Sequence, residues 1–397
     1  MRRRLASTLL ASGVSVAVAL LAGELLVRAL ASTDVNGQML FRGRRLRPYR
    51  LPIASLTERL ATLRASADSY LRYDPHLGWT IRPDGRTRDG RQRANAAGLR
   101  ADREYTPAPA PDVLRIALFG DSFTHGDEVT LEETWGRQLE AELHRHGVRA
   151  EVLNFGVGGY GMDQALLRWR ALGTHWSPQL VVLGFVAEDV YRNVNVLRSL
   201  YYPGTDLPFS KPRFVLDGDG LRVVNDPALP PESLPEAIRS FAASPLAPYE
   251  LFFRPRDYAS IWWRDSRLGS LLEEIVDPDP IEQAPNAARF LAVDAEPARV
   301  TLAIVRAFHR EVEATGATFR LLAIPRRADL YTLAGGRPLA HQGLLDRLQS
   351  EHGMVDTSAA LLARRHLALF APGGHYAAPG GRIIAHVLAR GIIRIHP

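Results

Sequence analysis

The chain reads as an α/β protein with a central parallel sheet covered by helices on both faces, preceded by an N-terminal transmembrane helix and carrying an inserted cap region. Three observations predict this. From Leu114 onward, short apolar runs of strand length alternate with amphipathic runs of helix length, and each parallel connection needs such a crossover. The alternation stops after Asn195 and resumes near Ala298. An apolar stretch of membrane-spanning length opens the chain.

That stretch runs from Leu5 to Gly23 behind Arg2, Arg3 and Arg4, roughly 19 residues and about 28 Å of helix at 1.5 Å per residue. Glu24 and Arg28 interrupt it only near its far end, where a charged side chain can reach the interface. Ala29-Leu30-Ala31 offers a small-x-small cleavage pattern, yet the run is longer than a signal peptide's usual apolar core, so an anchor is favoured. The arginines at 2–4 favour an N-terminus inside and the remainder exported as a single-pass, membrane-anchored protein of the periplasm or cell surface; Arg42, Arg44, Arg45, Arg47 and Arg50 pull the other way.

Residues 1–31 are therefore taken as anchor or signal, 32–112 as an Arg-rich linker and N-terminal extension, and 113–397 as the main domain, with an insertion at about 196–295. The extension reads as irregular, with one helix from Leu56 to Tyr70 and turn formers such as Pro83-Asp84-Gly85. The domain begins with a strand at Leu114–Phe119, a Gly120-Asp121-Ser122 loop and a helix from Leu131 to His146. A second unit has a strand at Glu151–Asn154, a glycine-rich loop and a helix from Met162 to Leu172; a third strand is Leu180–Phe185. The insertion contains a hairpin, Phe214–Leu216 against Leu221–Val224 around Asp217-Gly218-Asp219-Gly220, and helical, aromatic stretches from Tyr258 to Ile275. A helix at Ala298–Thr315, a strand at Phe319–Ile324, helices at Leu339–His352 and Ser358–His366 and a closing helix at Pro379–Arg390 complete the pattern.

Composition narrows the function. The chain is 46% apolar and 23% charged, the balance of a globular protein. It has no cysteine, which excludes a disulfide scaffold, a thiolate nucleophile and cysteine-based metal sites. The formal charge of +6 is concentrated at the front: residues 1–104 hold about 19 arginines against 9 acids, leaving the remainder mildly acidic. Lys211 is the single lysine, so the basicity reads as a bias toward arginine rather than a nucleic-acid surface, and no nucleic-acid partner is expected.

Ser122 follows the first strand of the expected sheet, where such sheets place their sites, and could be a nucleophile or simply a helix cap. The loop Asn154-Phe155-Gly156-Val157-Gly158-Gly159-Tyr160-Gly161 brings backbone close to whatever lies over Ser122, either to donate to an oxyanion or as a tight turn. It lacks the lysine or the placed acid of a phosphate-binding loop. His375, in a loop before the last helix, is the best-placed base; His125, on the helix start after Ser122, leans away, and His144 and His146 end a polar helix. No histidine or acid cluster has metal-ligand spacing, and neither a metal nor a cofactor is expected.

The segments IALFGDSFTHGDEVTLEETW, VLNFGVGGYGMDQALL, PQLVVLGFVAEDVYRN and GGHYAAPGGRIIAHVLA, in this order, resemble the SGNH (GDSL-type) hydrolase family over residues 114–195 and 319–390. Upstream, NAAGLRADREY is similar to the segment before the domain in membrane-anchored members. The resemblance implies a three-layer αβα sandwich, an SGNH or flavodoxin-like fold, with Ser122 as nucleophile, His375 as general base and the Ser122 and Gly159 N–H groups as oxyanion donors. The chain departs from it twice. Glu188 stands before Asp189 where the family supplies an asparagine donor, so either Asn154 or Asn193 substitutes, or Glu188 is protonated or turned away. Pro372 and Gly373 stand where the family commonly has the aspartate that orients the histidine; a backbone carbonyl, Asp356 or Asp121 could serve, the last being rather structural beneath the loop.

The expected function is a serine ester hydrolase, or an acyltransferase using the same acyl-enzyme, acting on O-acyl groups of extracytoplasmic glycans, lipids or acylated small molecules. The alternative is a catalytically inactive relative that binds glycan or scaffolds an envelope assembly, motivated by Glu188 and the missing aspartate.

Overall fold

The computed structural model describes residues 2–66, 69–218, 220–278 and 290–394; Asp219 of the expected hairpin, residues 279–289 of the expected insertion and the last three residues of the expected domain lie outside that set.

The chain opens with helix α1 (Arg2–Leu30), long and apolar enough to cross a membrane over Thr8–Leu30. Its leucines and valines from Leu9 to Leu21 are exposed. At Glu24 the helix meets the rest of the protein. The Glu24 carboxylate accepts the Ser266 hydroxyl at 2.8 Å, the Arg267 N–H at 3.0 Å and the Leu268 N–H at 2.8 Å, so the acid that interrupts the apolar run caps a distant helix.

Much of the segment expected to be irregular is built structure. Strands β1 (Ala31–Thr33), β2 (Met39–Phe41) and β3 (Arg44–Arg45) form a small antiparallel sheet. Helix α2 (Ile53–Ala65) ends before Tyr70, and β4 (Leu71–Asp74) pairs with β5 (Gly78–Ile81). The partners that hold these strands are far away in sequence. Arg47 is fully buried between Asp257 at 2.9 Å and Glu274 at 3.1 Å. Trp79 is buried with its indole N–H on the Gly158 carbonyl at 3.0 Å, and Arg168 donates to Thr80 Oγ1 at 2.7 Å. Such strands carry little alternation of their own, which is why periodicity misses them.

The central sheet contains β6 (Leu114–Phe119), β7 (Ala150–Asn154), β8 (Leu180–Phe185), β11 (Thr318–Ala323) and β12 (Met354–Asp356), while β9 (Arg213–Asp217) and β10 (Gly220–Val224) form the expected hairpin. Its order is β12–β11–β8–β6–β7, all parallel. The chain steps from β6 to β7 on one side and then crosses to β8 on the other, so the carboxyl end of β6 lies at the topological switch point. Three-residue β12 was not foreseen; it is too short to show a period.

Period-two burial sorts β6 into two faces. Ile116 and Leu118 pack with Leu139 and Leu143 of α4 (Trp135–Arg145), which follows the one-turn α3 (Ser122–His125). Ala117 and Phe119 pack with Leu166 and Trp169 of α5 (Met162–Ala171). After β8 comes α6 (Asp189–Arg192), and the insertion adds α7 (Arg198–Tyr201), α8 (Leu234–Arg239), α9 (Pro255–Tyr258) and α10 (Arg267–Val276). Then come α11 (Glu296–Glu313), α12 (Arg327–Ala334), α13 (Gln342–His352), α14 (Ser358–Ala363) and α15 (Ala378–Ile393). Ile304 and Phe308 of α11 join the α5 face; Ile384 and Leu388 of α15 join the α4 face. The result is the expected three-layer αβα sandwich. Phe119, fully buried and stacked on Phe155 at 4.6 Å, sits at its centre, and truncating such a side chain costs about 3–5 kcal/mol.

The insertion is tied to the sandwich rather than laid over it. Lys211 is buried against the buried Asp163 of α5, and removing one member of such a pair costs about 3–5 kcal/mol. Val196, Leu200 and Ile238 share a cluster with Leu56 and Leu60 of α2, so the N-terminal extension and the insertion form one wall.

Candidate active site

The loop after β6 turns at once into α3. Gly120 has φ +149° and its neighbour Asp121 caps α3, accepting the Phe123 N–H at 2.9 Å. Ser122 is thereby set at the start of the helix, 6% exposed, with its hydroxyl in a pocket of about 730 Å³. From the opposite end of the sequence, the loop before α15 brings His375 Nε2 to 2.8 Å from Ser122 Oγ. The imidazole packs on Phe123, ring centroids 4.8 Å apart, which fixes its plane.

The other imidazole nitrogen, Nδ1, lies 2.7 Å from Glu128 Oε2. Glu128 also accepts the His375 backbone N–H at 3.0 Å and the Gly373 N–H at 2.6 Å. Burial pushes its carboxyl up, but the hydrogen bonds from the His375 backbone and side chain and from Gly373 outweigh that and hold it below the ordinary glutamate value. An ionised acceptor on Nδ1 makes that nitrogen the donor and leaves Nε2 to accept the serine proton. Neither Asp356 nor Asp121 fills this place, and no carbonyl substitutes. Asp356 is exposed at the end of β12 and accepts the Ser358 N–H, while Asp121 is buried with Arg192 at 2.7 Å.

Glu128 escaped the sequence reading because it follows Ser122 by six residues, whereas the resemblance directs attention to the residues before the histidine. One backbone feature marks it. Its φ is +69°, a left-handed conformation that costs a non-glycine residue on the order of 1 kcal/mol and that gathers at functional sites.

The glycine-rich loop forms the facing wall. Gly159 has φ +79° and its carbonyl accepts from Arg198. Among the described residues neither the Ser122 nor the Gly159 N–H donates to another group, so both can serve a ligand in the pocket. The two asparagines that could have replaced the third donor are committed elsewhere: Asn154 Nδ2 donates to the Thr124 carbonyl at 2.8 Å and Asn193 Nδ2 to Thr301 Oγ1 at 2.8 Å.

Glu188 is neither protonated nor turned away. It lines the pocket, 3.1 Å from Arg192 and accepting the Tyr201 hydroxyl at 2.9 Å. The Arg192 charge, opposed by burial and helped by Tyr201, brings its pKa down to about 2. Its charge is thus met by a guanidinium rather than left facing an oxyanion. Arg192 also holds Asp121 and Asp189 beneath the loop, where burial and the neighbouring Asp121 push the Asp189 carboxyl up.

His125 does lean away from Ser122: it is buried between Asp127 at 2.5 Å and the Tyr70 hydroxyl at 2.9 Å, and burial lowers its pKa. The upstream segment also reaches this loop, because Arg100 Nη2 donates to the Val129 carbonyl at 2.9 Å, next to Glu128. Among the described residues, no group of three or more histidines and acids is placed to hold a metal ion.

A serine, a histidine and a carboxylate in hydrogen-bonded series, at the switch point of a parallel α/β sheet, make the architecture of a serine hydrolase. Residues 118–268 match the model of the GDSL-like lipase/acylhydrolase family. Among solved structures it is similar to the psychrotrophic esterase EstA from Pseudoalteromonas sp., at 11% identity and a TM-score of 0.36, covering 71% of this chain and 97% of that one. It is also similar to a lipase from a goat rumen metagenome, at 12% identity and a TM-score of 0.38, covering 69% of this chain and 95% of that one. A member of the lipolytic G-D-S-L family from Veillonella parvula DSM 2008 aligns at 11% identity with a TM-score of 0.34, covering 70% and 96%. No curated protein sequence matches the chain.

Proposed function

We propose that the protein is a membrane-anchored serine esterase, or an acyltransferase using the same acyl-enzyme, that acts on O-acyl groups of glycans, lipids or small molecules outside the cytoplasm. The observation that carries this reading is the unbroken series Ser122 Oγ, His375 Nε2, His375 Nδ1 and Glu128 Oε2, with steps of 2.8 and 2.7 Å, whose serine and histidine line one pocket.

In the mechanism His375 Nε2 takes the Ser122 proton as Oγ attacks the ester carbonyl carbon. The carbonyl oxygen becomes an oxyanion facing the N–H groups of Ser122 and Gly159. As the bond to the alcohol breaks, His375 returns the proton to the leaving oxygen and the acyl group stays on Oγ. Water, or a hydroxyl of an acceptor, then attacks the acyl-enzyme with His375 again as base. Glu128 stays ionised throughout, holding the tautomer and stabilising the imidazolium.

The anchor is favoured over a removed signal because Glu24 is bound by three groups of the 266–268 segment, a docking that cleavage after Ala31 would discard. The test of the catalytic reading is intact-mass measurement after treatment with a fluorophosphonate. One phosphonyl adduct on the parent and none on Ser122→Ala is expected; an unmodified parent would leave the non-catalytic, glycan-binding alternative.

A further inference from the structure

The pocket beside Ser122 is lined by four arginines, and their charges are not equally met. Arg192 is paired with Asp121, Glu188 and Asp189. Arg326 lies 3.6 Å from Asp329 and 3.8 Å from Glu188. Arg327 donates to the Ala371 carbonyl at 2.8 Å and lies over the Phe370 ring. Arg198 is different. It is only 8% exposed and has no carboxylate within 4 Å among the described residues.

The Arg198 guanidinium is nevertheless held in place. Nη1 donates to the Gly159 carbonyl at 3.2 Å, Nε to Thr205 Oγ1 at 3.3 Å, and the group lies 5.5 Å over the Tyr201 ring. Nη2 donates to no group among the described residues, on a side chain that lines the pocket. Burial and the neighbouring Arg192 push its pKa down to about 10, so it remains a cation at neutral pH, one whose desolvation Glu188 offsets only in part and from beyond ion-pair distance. A ligand anion would offset it, through the charge-assisted bond that a planar guanidinium makes best with a carboxylate.

We propose that Arg198 anchors a carboxylate carried by the ester substrate, on its acyl or its alcohol side. This rests on the esterase reading and adds the substrate class to it. The link through the Gly159 carbonyl ties the anchor to the residue that carries one expected oxyanion donor, in the pocket that Ser122 lines, so the carboxylate would lie near the scissile ester. Glu188, ionised in the same pocket, favours a singly charged group over a phosphate dianion.

The full-length protein in detergent is assayed with two matched pairs: monoethyl succinate against ethyl methyl succinate for the acyl side, and O-acetyl lactate against its methyl ester for the alcohol side. The same four compounds are titrated calorimetrically into Ser122→Ala, which does not turn them over. We expect kcat/KM at least about tenfold in favour of the carboxylate in one pair, with binding to Ser122→Ala following the same order. Arg198→Gln should abolish that preference through KM, and Arg198→Lys should retain part of it. Absence of preference in turnover and in binding by the parent site overturns the inference, a result that needs no Arg198 variant to fold. An equal loss of kcat for charged and neutral esters in Arg198→Gln also overturns it and assigns Arg198 to the oxyanion. Absence of turnover and of fluorophosphonate labelling refutes the esterase reading alone, because the calorimetric comparison still decides whether the carboxylate binds.

Discussion

Glu128 occupies the space that Gly373 leaves open: a Cβ at position 373 would lie 2.6 Å from Glu128 Oε1 and 2.7 Å from Oε2, closer than a real Cβ approaches an oxygen. Gly373 is also the position where the resemblance expects an aspartate two residues before the histidine. The carboxylate that meets His375 comes from the segment after α3, and the histidine's own loop makes room for it.

Moving that carboxylate is therefore the sharpest test of its role. Glu128→Gln should lower kcat about 10²-fold to 10⁴-fold and slow fluorophosphonate labelling, because an amide no longer fixes the donor tautomer at Nδ1. Gly373→Ala should act in the same direction by displacing the acid. Glu128→Ala combined with Gly373→Asp should recover at least about tenfold over Glu128→Ala. A merely structural Glu128 would lose stability without this recovery, so rates are compared with melting temperatures.

Ser122→Ala and His375→Ala should each reduce hydrolysis of a short-chain ester about 10³-fold or more, and the double variant should be no worse than either single one. The hydrogen bond of 2.8 Å between the two residues makes them one unit. Full activity in folded Ser122→Ala would remove this serine from the mechanism.

Glu188 has a folded pKa of about 2 against an ordinary value near 4.5. A depressed carboxylate pKa contributes stability that is fully present above the unfolded value and is lost as pH falls through the folded one. The stability advantage of the parent over Glu188→Gln should therefore be constant above about pH 5.5 and shrink between about pH 4.5 and 2, as read by denaturant unfolding. An advantage independent of pH over this range would show that the ion pair with Arg192 is not its source. The same variant should raise kcat/KM for an ester bearing a carboxylate, since a like charge leaves the pocket.

The full chain should fractionate with membranes, whereas a protein beginning at Ser32 should be released into the soluble fraction. A reporter joined to the C-terminus should be active only outside the cytoplasm. Cytoplasmic reporter activity would mean that Arg42 to Arg50 set the orientation instead.

The layered sandwich was legible in the sequence because its strands are buried on both faces and its helices on one, and those are the periods that residues display locally. Strand β8 is found at Leu180–Phe185 as read, and Ser122 and His375 were marked by turns at strand and helix ends. The small strands from Ala31 to Ile81 carry no comparable period, because what they need is supplied by Asp257, Glu274, Gly158 and Arg168 from elsewhere in the chain. Glu128 and Arg198 belong with them. Whether an acid orients a histidine 247 residues away, or a buried arginine lacks a carboxylate, is a matter of distance and of desolvation. The sequence by itself determined the layers and singled out Ser122 and His375, through local burial patterns and turn chemistry; only the tertiary structure decided which carboxylate meets His375 and how the pocket is charged, because electrostatic partners are chosen by proximity in space.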